Sequence, residues 1–102
     1  MKIKHKFHAK PCESDGIKFS SKLERSWYHK LKLLQQAGEV LFFLRQTPLH
    51  LPGNTKYVVD FLVFYADGNV RFLDAKGVET QMFVMKKKQV ESLYPIEIEC
   101  VK

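Results

Sequence analysis

Two aspartates and a lysine are the residues of this 102-residue chain with the clearest chemical potential. Asp60 lies inside the apolar run 56–65, and Asp74 follows in a second apolar segment, two residues before Lys76. A buried carboxylate costs several kcal/mol unless a cation or hydrogen bonds compensate its charge. The pattern therefore indicates either a divalent-cation site or a buried Asp-Lys ion pair with the second acid capped by backbone amides.

The turn between the two predicted strands decides whether the aspartates share a face. A three-residue loop that ends with Gly68 in the left-handed conformation pairs Asp60 with Asp74, whereas a two-residue loop pairs Asp60 with Ala75. Directly opposed residues have Cβ atoms about 4.5–5.5 Å apart, a separation that one divalent cation can bridge. We predict the first register, because it gives both charges a common ligand. Period-two alternation then places Lys76 on the face of Asp74.

Apolar periodicity and turn residues predict an α/β protein with the element order (β)-α-β-β-β-α-β and a mixed sheet of about four strands with flanking helices. The predicted elements are strands at 17–19, 40–51, 56–65, 69–76 and 95–101, and helices at 21–36 and 80–94. The strand at 40–51 is expected to bend near Pro48. A single domain at 15–102 would follow a basic N-terminal arm at 1–14.

The spacing of large apolar residues predicts which side chains form the core. The inward residues of the two helices are expected to be Leu23, Trp27, Leu31 and Leu34, and Met82, Met85, Val90 and Leu93. The strand phenylalanines expected in the core are Phe42, Phe43, Phe61, Phe64 and Phe72.

Glu24, on the first predicted helix, has two interpretations. Ser21 and Glu24 fit the capping-box pattern, in which the glutamate carboxylate bonds back to the N-cap amide. Trp27 and Leu31, however, place Glu24 beside the buried face of the helix, turned towards the sheet. Glu24 could therefore reach the aspartates, and both interpretations stay open.

The charge of the chain favours a polyanionic partner. There are 17 Lys+Arg against 11 Asp+Glu, a formal charge of +6. The second predicted helix carries Lys86, Lys87 and Lys88, whose side chains are spread over about 200° around its axis. Only one or two of them can therefore contact phosphate. No apolar run approaches the roughly 20 residues of a membrane-spanning helix. Two cysteines and no recognisable signal peptide favour the cytoplasm.

These residues resemble the PD-(D/E)XK endonuclease superfamily. The shared arrangement is Glu24 on a first helix, Val59-Asp60 on a strand, and Asp74-Ala75-Lys76 on the next strand. Val59 stands where the superfamily name has proline, and Asp74 stands where glutamate is commoner.

A narrower resemblance covers residues 15–101. The stretches 15–24 and 73–77, and Thr80 followed by the three lysines, are similar to a family of small phage and prophage nucleases. More distantly, the chain is similar to phage and archaeal Holliday-junction resolvases and to the nuclease subunit of some cut-and-paste transposases.

The resemblance implies a restriction-endonuclease-like core and a metal-dependent endonuclease that hydrolyses phosphodiester bonds in DNA. It implies that Asp60, Asp74 and the carbonyl of Ala75 hold Mg²⁺ or Mn²⁺. Lys76 would orient the attacking water or stabilise developing charge, and Glu24 would bind a second metal or a water.

Branched DNA, such as a Holliday junction, is the most attractive substrate that the resemblance implies. Expected DNA contacts are Lys86, Lys88 and Gln46, the last of which matches a recurring glutamine of such families. A homodimer is expected for a junction-cutting enzyme, in the cytoplasm of the bacterial host if the protein is phage-encoded. The alternative function is that of a non-catalytic DNA-binding or host-interaction protein that retains the nuclease fold.

Overall fold

The computed structural model describes residues 11–102, and residues 1–10 of the expected basic arm lie outside this part. The elements are β1 (Cys12–Ser14), β2 (Ile17–Phe19), α1 (Lys22–Gln36), β3 (Val40–Leu51), β4 (Thr55–Tyr65), β5 (Val70–Ala75), α2 (Gln81–Leu93) and β6 (Ile98–Val101). The predicted α/β class and element order are confirmed. β1 is an addition, because the sequence pattern assigns its residues to the arm.

The central sheet contains four strands in the order β3-β4-β5-β6. The strands β3, β4 and β5 are antiparallel, whereas β6 runs parallel to β5, so the sheet is mixed as predicted. β1 and β2 form a separate antiparallel hairpin. Its two-residue turn at Asp15 and Gly16 has positive φ at both positions, which is the geometry of a type I′ turn.

The buried face of α1 is centred on Glu24, Tyr28 and Leu31. The helix begins after Ser21, whose side chain accepts the backbone N–H of Glu24 at 3.0 Å. Trp27 is only half-buried, so the predicted inward face is rotated by about one residue. The rotation matters because it puts Glu24 in the middle of the helix surface that packs on the sheet.

The predicted inward face of α2 is wrong for three of its four residues. Met82, Met85 and Leu93 are 62%, 63% and 52% exposed, whereas Val90 is buried. The residue that accompanies Val90 against the sheet is Phe83, which packs beside Val90 in the same apolar cluster. The helix therefore contacts the sheet through a narrow strip that contains Phe83 and Val90, which are seven residues apart. Its flexible methionines face outward.

The pairing of β3 with β4 is interrupted at Gln46. Residues on both sides of this position pair with β4, but Gln46 itself, with a φ of +52°, does not pair with Asp60 opposite. This irregularity lies two residues before Pro48, where the sequence predicts a bend, and Pro48 remains paired with Val58. On either side of Gln46 the strands enter different cores: Phe61 packs beneath α1, and Val59 packs beneath α2.

One face of the sheet leaves several apolar side chains exposed. Phe42 is 44% exposed and stacks on Phe64 with ring centroids 4.4 Å apart, so its predicted core position is wrong. Phe61, in contrast, is fully buried. Among residues 11–102, no helix is long and apolar enough to cross a membrane.

Candidate functional site

The register of β4 and β5 places the two aspartates opposite each other. Phe61 pairs with Leu73, so the next position along the two antiparallel strands sets Asp60 against Asp74. The connecting loop has three residues and ends at Gly68, whose φ is +94°. The predicted register and turn geometry are both confirmed, and the alternative two-residue loop is wrong.

At this point, hydrogen bonds to the two carboxylates take the place of the regular backbone pairing between β4 and β5. Asp74 Oδ1 accepts the backbone N–H of Asp60 at 2.9 Å, and Asp60 Oδ2 accepts the backbone N–H of Ala75 at 2.9 Å. Each acid is therefore held by the main chain of the neighbouring strand. Asp74 is 1% exposed, whereas Asp60 is only half-buried and leaves one side of the pair accessible.

The second oxygen of Asp74 is bound by a tyrosine. The buried hydroxyl of Tyr57 donates a hydrogen bond to Asp74 Oδ2. Burial raises the pKa of Tyr57 above its ordinary value, and the hydrogen bond to Asp74 raises it further, so the hydroxyl stays a proton donor. Both Asp74 oxygens consequently carry a hydrogen bond from β4.

Glu24 enters the site from α1 with both of its oxygens bonded. Oε1 accepts the Ser20 hydroxyl at 2.8 Å, and Oε2 accepts the Gln46 amide at 2.8 Å and the Arg45 guanidinium at 3.3 Å. The carboxylate is 2% exposed. The backbone N–H of Glu24 bonds to Ser21, as at a helix cap, but its side chain bonds to β3. The capping-box interpretation is therefore wrong for the carboxylate, which does not bond back to the N-cap amide, although Ser21 does cap the helix.

Gln46 links the acid of α1 to an acid of β4. Its amide nitrogen donates to Glu24 Oε2 and makes a longer contact of 3.4 Å with Asp60 Oδ1. The left-handed backbone conformation of a glutamine costs of the order of 1 kcal/mol and is uncommon outside functional or tightly constrained sites. The left-handed conformation of Gln46 thus accompanies a side-chain amide that lies between two carboxylates.

The electrostatics of the site disfavour the ionised form of Asp60. Burial, followed by the negative charge of Asp74, raises the pKa of Asp60 to about 6 from 3.8, and the charge of Glu24 adds to this effect. The backbone N–H of Ala75 and the ammonium of Lys76 oppose the rise. Burial and the neighbouring acids together thus outweigh the groups that favour the ionised carboxylate, a condition that a bound cation would relieve.

Lys76 lies at the end of β5. Its backbone N–H donates to the carbonyl of Val101 at 3.2 Å, which joins the end of β5 to β6. The ammonium lies 5.3 Å from the centroid of the Phe83 ring. It makes no ion pair with any carboxylate in the described range 11–102. The lysine therefore keeps its charge available to a bound anion, and the alternative of an Asp-Lys ion pair is not formed.

The side chains that lie close enough together to coordinate one cation are those of the two aspartates. Within residues 11–102, no group of three or more His, Cys, Asp and Glu side chains is arranged to hold a metal ion. Mg²⁺ is commonly held by one or two carboxylates and keeps several waters. The oxygen donors of Asp60 and Asp74 could therefore hold a hard divalent cation without a third acid.

The three consecutive lysines of α2 differ in availability. Lys87 makes an ion pair with Glu91 at 3.2 Å. Lys88 is exposed, and Lys86 is half-buried about one turn from Phe83. The two lysines expected to contact DNA are therefore the ones outside this ion pair.

Three members of the site were not predicted from the sequence: Ser20, Arg45 and Tyr57. Arg45 had a usable signal, because a cation in an apolar strand needs an anionic partner. Its guanidinium also lies 4.6 Å from the ring centroid of Phe19. The sequence contains no such signal for Tyr57, because period-two alternation places Tyr57 on the sheet face opposite Asp60.

Neighbouring strands and a helix that bring together three carboxylates, an amide and a nearby lysine define an α/β protein with a candidate acidic site. The chain belongs to the family described as "Protein of unknown function (DUF1064)", whose sequence profile matches residues 4–100. No curated protein and no solved structure matches the chain.

Proposed function

We propose that this protein is a metal-dependent endonuclease that hydrolyses phosphodiester bonds in DNA. The observation that carries the proposal is the convergence of Asp60 and Asp74, each held by the main chain of the neighbouring strand. Lys76 supplies a cation beside them that no acid in residues 11–102 neutralises through an ion pair. The resemblance to PD-(D/E)XK endonucleases supports the same assignment.

Asp60, Asp74 and the carbonyl of Ala75 would hold Mg²⁺ or Mn²⁺, because these ions favour oxygen ligands. The ion would supply Lewis-acid polarisation of the phosphate and lower the pKa of a water. Lys76, a compact charge at the end of a strand, would stabilise the negative charge that develops on the phosphate.

Glu24 has a different proposed role from that of the aspartates. Its oxygens already accept three hydrogen bonds, from Ser20, Arg45 and Gln46, so at most one acceptor position, on Oε1, remains for a second metal. We favour a role in which Glu24 holds Gln46 against Asp60.

Replacing Glu24 with glutamine should therefore lower cleavage by about 10–100-fold, the range for groups that orient metal ligands. The measurement is the cleavage rate at saturating Mn²⁺, with Glu39→Gln as the control because Glu39 is exposed beyond the end of α1. A loss as complete as that of an Asp74 variant would instead assign Glu24 to the metal.

Branched DNA is the proposed substrate class. Resolution of a junction requires two symmetric cuts, and one domain offers one site, so we propose that the active form is a homodimer. The bacterial cytoplasm is the proposed compartment.

The experiment that tests the function is incubation with Mn²⁺ and a panel of labelled Holliday junctions, flaps, duplexes, single strands and matched RNAs. We expect cleavage of at least one DNA that EDTA abolishes. DNA binding without cleavage of any substrate would contradict the nuclease and favour the non-catalytic alternative.

DNA affinity should fall steeply with salt if α2 contacts the phosphates. Four phosphate contacts cost roughly a hundredfold in affinity between 50 and 200 mM salt, with a slope of about −0.9 per phosphate. Replacing Lys86 and Lys88 with alanine should flatten the slope by up to about two units. Lys87→Ala is the matched control on the same helix, because Lys87 already pairs with Glu91. An unchanged slope in the double variant would place the DNA elsewhere.

A further inference from the structure

Tyr57 belongs to the core beneath α2 but bonds to the acidic site. Its ring is buried in the cluster that contains Val59, Val90 and Ile98. Its hydroxyl reaches Asp74 Oδ2, although Tyr57 precedes Asp60 by three residues on β4 and alternation alone would separate them. The alternation fails on β5, where the consecutive residues Leu73, Asp74 and Ala75 are all buried.

Both oxygens of the Asp74 carboxylate accept a hydrogen bond. Oδ1 accepts the backbone N–H of Asp60 at 2.9 Å, and Oδ2 accepts the hydroxyl of Tyr57. Rotation of the carboxylate would break at least one of these bonds. Each oxygen has a further lone pair, so the hydrogen bonds leave acceptor capacity for a cation.

The ring of Phe83 lies close both to Tyr57, which bonds to Asp74, and to Lys76. The rings of Tyr57 and Phe83 have centroids 6.2 Å apart, and the ammonium of Lys76 lies 5.3 Å from the Phe83 centroid. One side chain of α2 therefore contacts both the residue that holds the carboxylate and the cation beside it.

We infer that Tyr57 is a positioning residue that orients Asp74 for binding of a divalent cation, an inference that rests on the proposed function. Groups that hydrogen-bond to metal ligands fix their orientation before the metal arrives, and their loss weakens metal affinity. A purely structural tyrosine would instead stabilise the fold and leave metal affinity unchanged.

Tyr57→Phe removes the hydroxyl and keeps the ring. Calorimetric titration with Mn²⁺ at pH 7.5 should show about 10–100-fold weaker binding than in the wild-type protein. Cleavage should recover to within a few-fold of wild type once Mn²⁺ is saturating. The matched control is Tyr94→Phe, because Tyr94 is half-buried against the same core but donates its hydrogen bond to the His50 carbonyl at 2.7 Å. Its Mn²⁺ affinity should be unchanged.

Wild-type affinity in Tyr57→Phe, in a protein that binds Mn²⁺ and cleaves DNA, would overturn the role of Tyr57 alone. Absence of Mn²⁺ binding by the wild type, or equal binding by Asp60→Asn, would overturn the proposed function and, with it, the role of Tyr57. If Tyr57→Phe does not fold, proton NMR of the wild type provides the test. The Tyr57 hydroxyl resonance should shift when Mg²⁺ binds and that of Tyr94 should not; an unshifted Tyr57 resonance would overturn the inference.

Discussion

Replacing Asp74 with asparagine should reduce metal-dependent DNA cleavage by about a thousandfold or more. A bound cation contributes several kcal/mol of transition-state stabilisation, and each 1.36 kcal/mol corresponds to a factor of ten in rate. Asparagine keeps one oxygen able to accept the Asp60 N–H, so the strands should stay paired while the anionic ligand is lost. The measurement is the single-turnover cleavage rate at saturating Mn²⁺.

DNA binding should remain intact or become tighter in the same variant, because the change removes a negative charge that repels phosphate. Asp60→Asn should behave alike. Asp67→Asn, in the exposed turn of the same hairpin, is the control and should cleave at the wild-type rate. Near wild-type cleavage by either site variant would show that the assigned aspartates are not the catalytic ones.

The metal-free protein should become more stable at neutral pH when Asp60 is replaced with asparagine. In the folded protein, burial and the charge of Asp74 raise the pKa of Asp60 to about 6 from 3.8. The folded state therefore binds the proton more tightly than the unfolded chain does. The stability that Asp60 contributes is fully present below about pH 3.8 and is lost as the pH rises through about 6.

The difference of about two pKa units corresponds to about 3 kcal/mol, which solvent on the open side of Asp60 reduces to about 2 kcal/mol. Urea denaturation in EDTA at pH 4, 6 and 8 should show this gain for Asp60→Asn only at the higher pH. Mg²⁺ should then stabilise the wild type but not the variant. Parallel pH profiles for the two proteins would contradict the electrostatic account of the site.

The central hairpin of the site was predictable because its determinants are local. A loop that ends at Gly68 and strict alternation along two apolar strands are enough to oppose Asp60 and Asp74. Ser21 likewise marks the start of α1. These features depend on neighbours in the sequence, so the chain specifies them without knowledge of the tertiary structure.

Features that depend on tertiary packing were not predictable. Along β4 the buried residues alternate regularly from Tyr57 to Val63, but on β5 the consecutive residues Leu73, Asp74 and Ala75 are all buried, so Asp74 meets a tyrosine that the period-two pattern assigns to the other face. The orientation of α2 failed for a related reason. Its sequence offers the exposed Met82 and Met85 as well as Phe83, and the packing of the helix on the sheet decides which of them lie inward.

Glu24 lies between these two cases. The capping pattern predicts the bond between its backbone N–H and Ser21, which the structure contains. The destination of its carboxylate depends on Arg45 and Gln46, which are distant in sequence and reach Glu24 only through packing of α1 on β3. The helix periodicity could indicate the direction of the side chain but not its partners.

The most direct measurement is an anomalous difference map from crystals grown with Mn²⁺. We predict a peak within about 2.1 Å of carboxylate oxygens from both Asp60 and Asp74, the distance typical of hard divalent ions of this size. The same crystals of Asp74→Asn should lose the peak. A peak bound by other residues, or no peak in a protein that still cleaves DNA with Mn²⁺, would contradict a metal-dependent nuclease centred on these two aspartates.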